Sequence, residues 1–289
     1  MNQEDLDSVE RFKAFIRIPT TTSNVPDSTG KQATEYLTRE CSSLGLEVFQ
    51  YEYVAGYPVV VAKWAGKDPS LPAILLNSHY DVVPADTDRW KYPPFDAVEL
   101  PNGDIVGRGT QDMKCVCVQY MEAVRRLVGS GYAPLRTVYI AFQPDEEMGG
   151  LKGMANWVKS PEFKDMGVGF ALDEGIASET GVATVFYGER AVWWLRLRAS
   201  GPTGHASRFV KDTAVEKLLA SVTRFLAFRR EQEQLLHGHA GCKHAVGKVH
   251  CVNYFFIFFY FFLFFYCCLI TYFFLLIASY NLAQITETR

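Results

Sequence analysis

The chain has 289 residues, a formal net charge of −3, 48% hydrophobic residues and 21% charged residues. That length holds one large domain or two modest ones, and the composition excludes a wholly disordered or fibrous chain. The slight acidity argues against nucleic acid as a partner, because a phosphate-binding surface needs a basic excess.

The 14% aromatic content is unevenly spread: ten of the 21 Phe and five of the 15 Tyr lie within residues 254–280, and residues 249–286 hold no Asp, Glu, Lys or Arg. Two compositions are joined here. The N-terminus, MNQEDLDSVE, lacks the basic start and apolar core of a secretory signal. The seven cysteines form no CxxC pair and read as reduced thiols, which places the protein in the cytoplasm.

Residues 6–17 carry Leu6, Val9, Phe12, Phe15 and Ile16 at helical spacing, and residues 31–44 form a second helix ending before Gly45. Residues 46–53, 59–64 and 73–77 read as strands, the last a continuous apolar run as expected for a strand covered on both faces. Residues 112–128 are helical, with Met113, Val116, Tyr120, Met121, Val124 and Leu127 on one face and Asp112 in the N-cap position. Residues 137–142 form another buried strand, 151–158 a helix, and 168–172 a third buried strand. Strands alternating with helices imply an α/β domain with helices on both faces of the sheet. After Glu189 the pattern changes: residues 193–199 alternate polar and apolar, and a Gly-rich turn precedes a helix over about 212–236. This is the start of a smaller α+β domain.

In open α/β sheets, ligands bind at the carboxyl ends of strands. Here those ends lead into His79 and Asp81, into Asp112, into Asp145-Glu146-Glu147, and into Asp173-Glu174. Carboxylates gathered on one sheet edge repel each other unless a cation joins them. One imidazole with several carboxylates suits zinc, with manganese or cobalt as alternatives. Asp112 is placed to bridge two ions, and Asp81 to reach back and orient the His79 imidazole. Each feature taken singly has an ordinary explanation: a packed histidine, a solvated acidic loop, a helix cap. Their joint placement at four strand ends is what argues for a site.

The segments HYDVVP (79–84), GRGTQDMK (107–114), PDEEMGG (144–150), ALDEG (171–175) and GHAS (204–207) resemble the dinuclear-zinc amidohydrolases and exopeptidases, the family that includes carboxypeptidase G2, and within it the aminoacylases. The resemblance covers roughly residues 7–236. It implies a zinc-exopeptidase-like three-layer αβα catalytic domain over 1–188 and part of a lid or dimerisation domain over 189–240. It implies hydrolysis of small-molecule N-acyl-L-amino acids to a carboxylate and a free amino acid. His79 and Glu174 would bind one zinc, Glu147 a second, and Asp112 would bridge the two. Glu146 would be the general base toward a metal-activated water, with Asp81 behind His79. His205 would stabilise the oxyanion in the active site of a partner subunit of a homodimer.

Later parts of the family pattern have no match after Leu236, among them a substrate-binding arginine and a last metal-binding histidine. From this follows an expectation of weak or no activity, at most one zinc, a doubtful dimer and an exposed sheet edge in the second domain. A catalytically incompetent truncated form and a dipeptidase of the same clan are the alternative readings. The aromatic tail, 249–289, is outside the family pattern and is expected to be helix-like. Residues 254–278 are long enough to span a bilayer. Their aromatic excess favours instead an alternative or read-through transcript end over a membrane anchor.

Overall fold

A computed structural model describes residues 2–175, 190–238, 256–261 and 271–280. The chain divides into two units, Met1–Ala177 and Ser178–Arg289.

The first unit is built on a mixed five-stranded sheet of β1 (Glu47–Glu52), β2 (Pro58–Trp64), β3 (Ala73–His79), β6 (Val138–Gln143) and β7 (Val168–Leu172), in the order β1-β2-β6-β3-β7. A two-residue pair, β4 (Val98–Glu99) and β5 (Ile105–Val106), lies apart from it. The β1–β2 and β2–β6 pairings are antiparallel, while β6, β3 and β7 run parallel. The carboxyl ends of the three parallel strands therefore share one edge.

The period-2 alternation of the strands sends their side chains to two cores. Val60, Ala62, Ile140 and Phe142 pack with Phe15 of α1 (Gln3–Ile16), Leu37 of α2 (Ser28–Ser43) and Met121 of α3 (Lys114–Gly129). On the opposite face, Val59, Val61, Leu75 and Ala141 pack on Trp157 of α4 (Met154–Trp157), with Phe163 of α5 (Pro161–Asp165) alongside. The result is the expected three-layer arrangement. Asn2 and Asp5 form a reciprocal capping box that starts α1. Glu122 ties α3 to α1, accepting from Arg11 at 2.6 and 2.7 Å and from Ser8 at 2.9 Å.

Three expectations are corrected. Residues 168–172 form a strand, but an exposed one: among the described residues β7 is the sheet edge, and Phe170 and Leu172 are 58% and 43% exposed. An apolar run signals a strand without saying whether another element covers it. Asp112 does not cap α3, whose N-cap is Met113 with no side-chain cap bond; the Asp112 carboxylate is engaged with His79 instead.

The third correction concerns the tail. Its described parts are strands, β9 (Phe256–Phe261) and β10 (Thr271–Tyr280), which with β8 (Arg190–Ala199) form a sheet ordered β8-β10-β9. β10 pairs antiparallel with β8 from Thr271↔Ala199 to Tyr280↔Arg190. The strand edge expected to be open thus carries a ladder. Phe, Tyr and Ile favour extended backbone, and with a partner strand at hand the cross-strand hydrogen bonds replace the helical ones. Among the described residues no helix is long and apolar enough to cross a membrane. In the same unit α6 (Ala214–Gly238) follows β8, along which Arg196 and Arg198 are exposed and Leu197 and Ala199 half-buried, the expected one-sided alternation.

Candidate metal centre

β3 ends on His79, whose side chain is 1% exposed. Its backbone is fixed from two sides: His79 N–H donates to Met113 Sδ, and the Cys117 thiol donates to His79 O. The ring is oriented by Asp81 O, 2.9 Å from Nδ1. This aims Nε2 into the space where the other strand ends deliver carboxylates.

Asp112 Oδ1 lies 3.1 Å from His79 Nε2, Glu174 Oε1 3.4 Å and Glu146 Oε2 3.6 Å. His79, Asp112 and Glu174 each offer a ligand atom within 4.8 Å of the others. Two donors about 2.1 Å from a common zinc ion lie at most about 4.2 Å apart, so the His79–Asp112 and His79–Glu174 separations fit shared coordination. The donor set, an imidazole with carboxylates, suits a divalent cation.

The electrostatics point the same way. Burial works to lower the His79 pKa, but hydrogen bonds to Asp112, Asp81 and Glu174 outweigh it and hold the ring well above its ordinary range. Asp112 is held below the usual carboxylate range, chiefly by its hydrogen bond to His79. Glu147 is pushed up to about 7 by burial and then by the negative charge of Asp112; Glu146 is raised mainly by burial. Excess negative charge converges on one imidazole, and a bound cation relieves it.

The expected residues are therefore partly assembled. His79, Asp112, Glu174 and Glu146 come together. The Glu147 carboxylate is outside the close cluster, although its backbone sits on the same turn. Asp81 holds more than the imidazole. Its fully buried carboxylate is 3.4 Å from His79 Nδ1 and accepts from Glu146 N–H at 3.0 Å and Glu147 N–H at 3.1 Å. It thereby pins the 3-10 turn Glu146–Met148 beside the histidine, and Gly149, at φ 90°, ends that turn in the left-handed region. His205 lies in the second unit, exposed, with Nδ1 2.8 Å from Ser207 Oγ.

Sequence reasoning missed several supports. Asp145 is buried and accepts from Lys152 N–H at 2.7 Å and Gly153 N–H at 2.9 Å, closing the loop that carries Glu146 and Glu147. Lys114, fully buried, donates to Phe15 O at 3.1 Å and Ile18 O at 2.6 Å, anchoring the start of α3 just after Asp112. Burial pushes its ammonium down to about 7. Thr20 Oγ1 donates to Tyr80 O, tying the segment after α1 to the end of β3. For Asp145 and Lys114 the only signal was adjacency to a ligand, and for Thr20 there was none.

A sequence profile described as peptidase family M20/M25/M40 matches residues 75–259. The chain is 47% identical over 246 residues to aminoacylase-1 of Mus musculus, covering 85% of this chain and 59% of that protein. It is 47% identical over 229 residues to aminoacylase-1 of Sus scrofa, covering 79% and 56%. The chain thus spans about three fifths of the length of these curated relatives. Among solved structures it is similar to human carnosine dipeptidase 1, with a TM-score of 0.67 at 15% identity, covering 95% of this chain and 69% of that one. At that identity the likeness is one of fold.

Proposed function

The chain belongs to peptidase family M20/M25/M40, and on that premise we propose that it hydrolyses the amide bond of N-acyl-L-amino acids, with zinc as its metal. The observation that carries the proposal is the convergence of His79, Asp112 and Glu174 with Glu146 3.6 Å from the same imidazole nitrogen. The aminoacylase-1 name of the mouse and pig relatives supports the choice of substrate class.

Bound zinc supplies Lewis-acid polarisation and makes water more acidic at the site. The residues of the chain do the rest. His79, Asp112 and Glu174 would hold one ion, and Asp112 and Glu147 would serve a second. The Glu146 carboxylate is 54% exposed and open to substrate. It takes a proton from the attacking water as the oxygen adds to the acyl carbon. It then returns that proton to the amide nitrogen as the C–N bond breaks, so a carboxylate and a free amine leave. Asp81 keeps His79 and the Glu146 turn in register. His205, offered by a partner subunit of a cytoplasmic homodimer, donates to the developing oxyanion.

The test is release of methionine from N-acetyl-L-methionine by the zinc-loaded chain, beside Glu146→Gln. The proposal expects metal-dependent release that falls about 10²–10⁴-fold in the variant. Release no greater than that of the variant refutes it. Hydrolysis of dipeptides in place of N-acetyl-L-methionine makes the protein a dipeptidase.

A further inference from the structure

The geometry points to a side-chain relay, Gln143–Asn77–Asp173, that positions Glu174 for metal binding. This inference rests on the metal reading above.

Glu174 poses a mechanical problem. It follows β7, which among the described residues pairs only with β3 and is exposed from residue 169 to residue 172. The β3–β7 register ends at Leu76↔Leu172, two residues before Glu174. His79 and Glu146, in contrast, come from the interior strands β3 and β6. Among the described residues, backbone pairing therefore stops two residues short of Glu174.

Side chains continue where the ladder stops. Asn77, one residue beyond the last position of β3 that pairs with β7, donates Nδ2–H to Asp173 Oδ2 at 2.6 Å. Asp173 turns its other oxygen onto the Glu174 backbone, accepting from Glu174 N–H at 2.8 Å. Behind Asn77, Gln143 of β6 donates Nε2–H to Asn77 Oδ1 at 3.1 Å. Gln143 and Asn77 are 2% and 8% exposed, so water has little access to this end. The relay has one direction. Asp173 can only accept, so the Asn77 amide group faces it, the Asn77 carbonyl faces Gln143, and Gln143 presents its donor. A carboxylate is the partner that can accept there and also accept from Glu174 N–H.

These three residues thus stitch the ends of β6, β3 and β7 together beneath the metal ligands. None of the three is placed as a ligand. Their part is to hold Glu174 Oε1 at 3.4 Å from His79 Nε2. Outer groups that orient metal ligands change affinity about 10–100-fold when removed.

The test uses the full chain with cobalt(II) as the probe. Affinity comes from chelator competition, and ligand geometry from the visible d–d absorption. Asp173 is exposed, so Asp173→Ala leaves a folded chain. It should weaken cobalt binding about 10–100-fold and alter the visible bands, with the unfolding temperature of the metal-free protein unchanged. Asn77→Asp sets carboxylate against carboxylate. Asp173→Asn removes the charge that sets the direction, and Asn77 and Gln143 can then both turn their amides, because the buried Gln143 Oε1 has no other partner among the described residues. Asn77→Asp should weaken binding as D173A does, and Asp173→Asn should bind much as the parent. The double exchange N77D/D173N restores every bond with one direction reversed, and should recover the parent spectrum and most of the affinity. Parent-like affinity and spectrum in D173A refute the relay even if N77D does not fold, and so does a folded double exchange no better than N77D. A parent chain that takes up no cobalt refutes the metal reading and the relay with it.

Discussion

Asp81→Asn is the sharpest probe of how this site is held. The two side chains are almost isosteric, so the change opens no cavity. The carboxylate has no exposure to water and accepts two backbone hydrogens, from Glu146 at 3.0 Å and Glu147 at 3.1 Å. An amide can accept only one of them. Its NH2 group must face the other, leaving a buried donor unpaired at a cost of about 1–3 kcal/mol, while the lost charge-assisted bond removes about 1.5–3 kcal/mol. Relief of the buried charge returns part of this, and about 2 kcal/mol of net destabilisation remains. The turn carrying Glu146 and Glu147 loosens from His79, so zinc affinity should drop about 10–100-fold. Urea unfolding of the metal-free chain reads the first quantity, and zinc titration against a competing chelator the second. A variant with the parent's urea midpoint and the parent's zinc affinity would refute the clamp. Weaker zinc binding with an unchanged midpoint would mean that Asp81 acts through the imidazole alone.

Zinc at 100 times its dissociation constant should stabilise the fold by about 2.7 kcal/mol. For a unit of this size that raises the melting temperature by roughly 5–10 °C. Scanning fluorimetry should show the rise and its reversal by EDTA, and no shift counts against the metal site. Lys114→Met fills the same space but leaves the carbonyls of Phe15 and Ile18 without their buried donor. The loss should be about 1–3 kcal/mol by urea unfolding, offset in part by removal of a buried charge; a variant as stable as the parent refutes the anchoring role. At Glu122, burial acts to raise the carboxyl pKa, but hydrogen bonds from Arg11 and Ser8 outweigh it and leave it below 4.5. A depressed carboxyl stabilises the fold above its free pKa and ceases to as pH falls through the folded value. Glu122→Gln should therefore cost about 2 kcal/mol at pH 7, and the deficit should shrink between pH 5 and 3. A deficit independent of pH would show that the charge of Glu122 contributes nothing.

Much of this protein is local information. Helical spacing in Phe12, Phe15 and Ile16 and strand alternation in Val59–Ala62 depend only on which residues must leave water, so the elements of the first unit are legible by period. The ligand candidates are legible too, because His79, Glu146 and Glu174 each follow an apolar strand closely, and a parallel sheet brings such ends to one edge. Tertiary structure decided what depends on partners distant in the chain. Asp112 has the sequence position of a helix cap, yet its carboxylate meets an imidazole 33 positions earlier. Residues 168–172 carry the apolar signal of a covered strand, but only the strand order makes β7 an exposed edge. The aromatic run is apolar at nearly every position and so has no period to read; pairing of 271–280 with β8 makes it extended. Asn77 and Asp173 look unremarkable 96 residues apart, and only the adjacency of two strand ends joins them. Periodicity reports whether a residue is buried; which groups meet is settled by register and strand order, and the chemistry of this site depends on which groups meet.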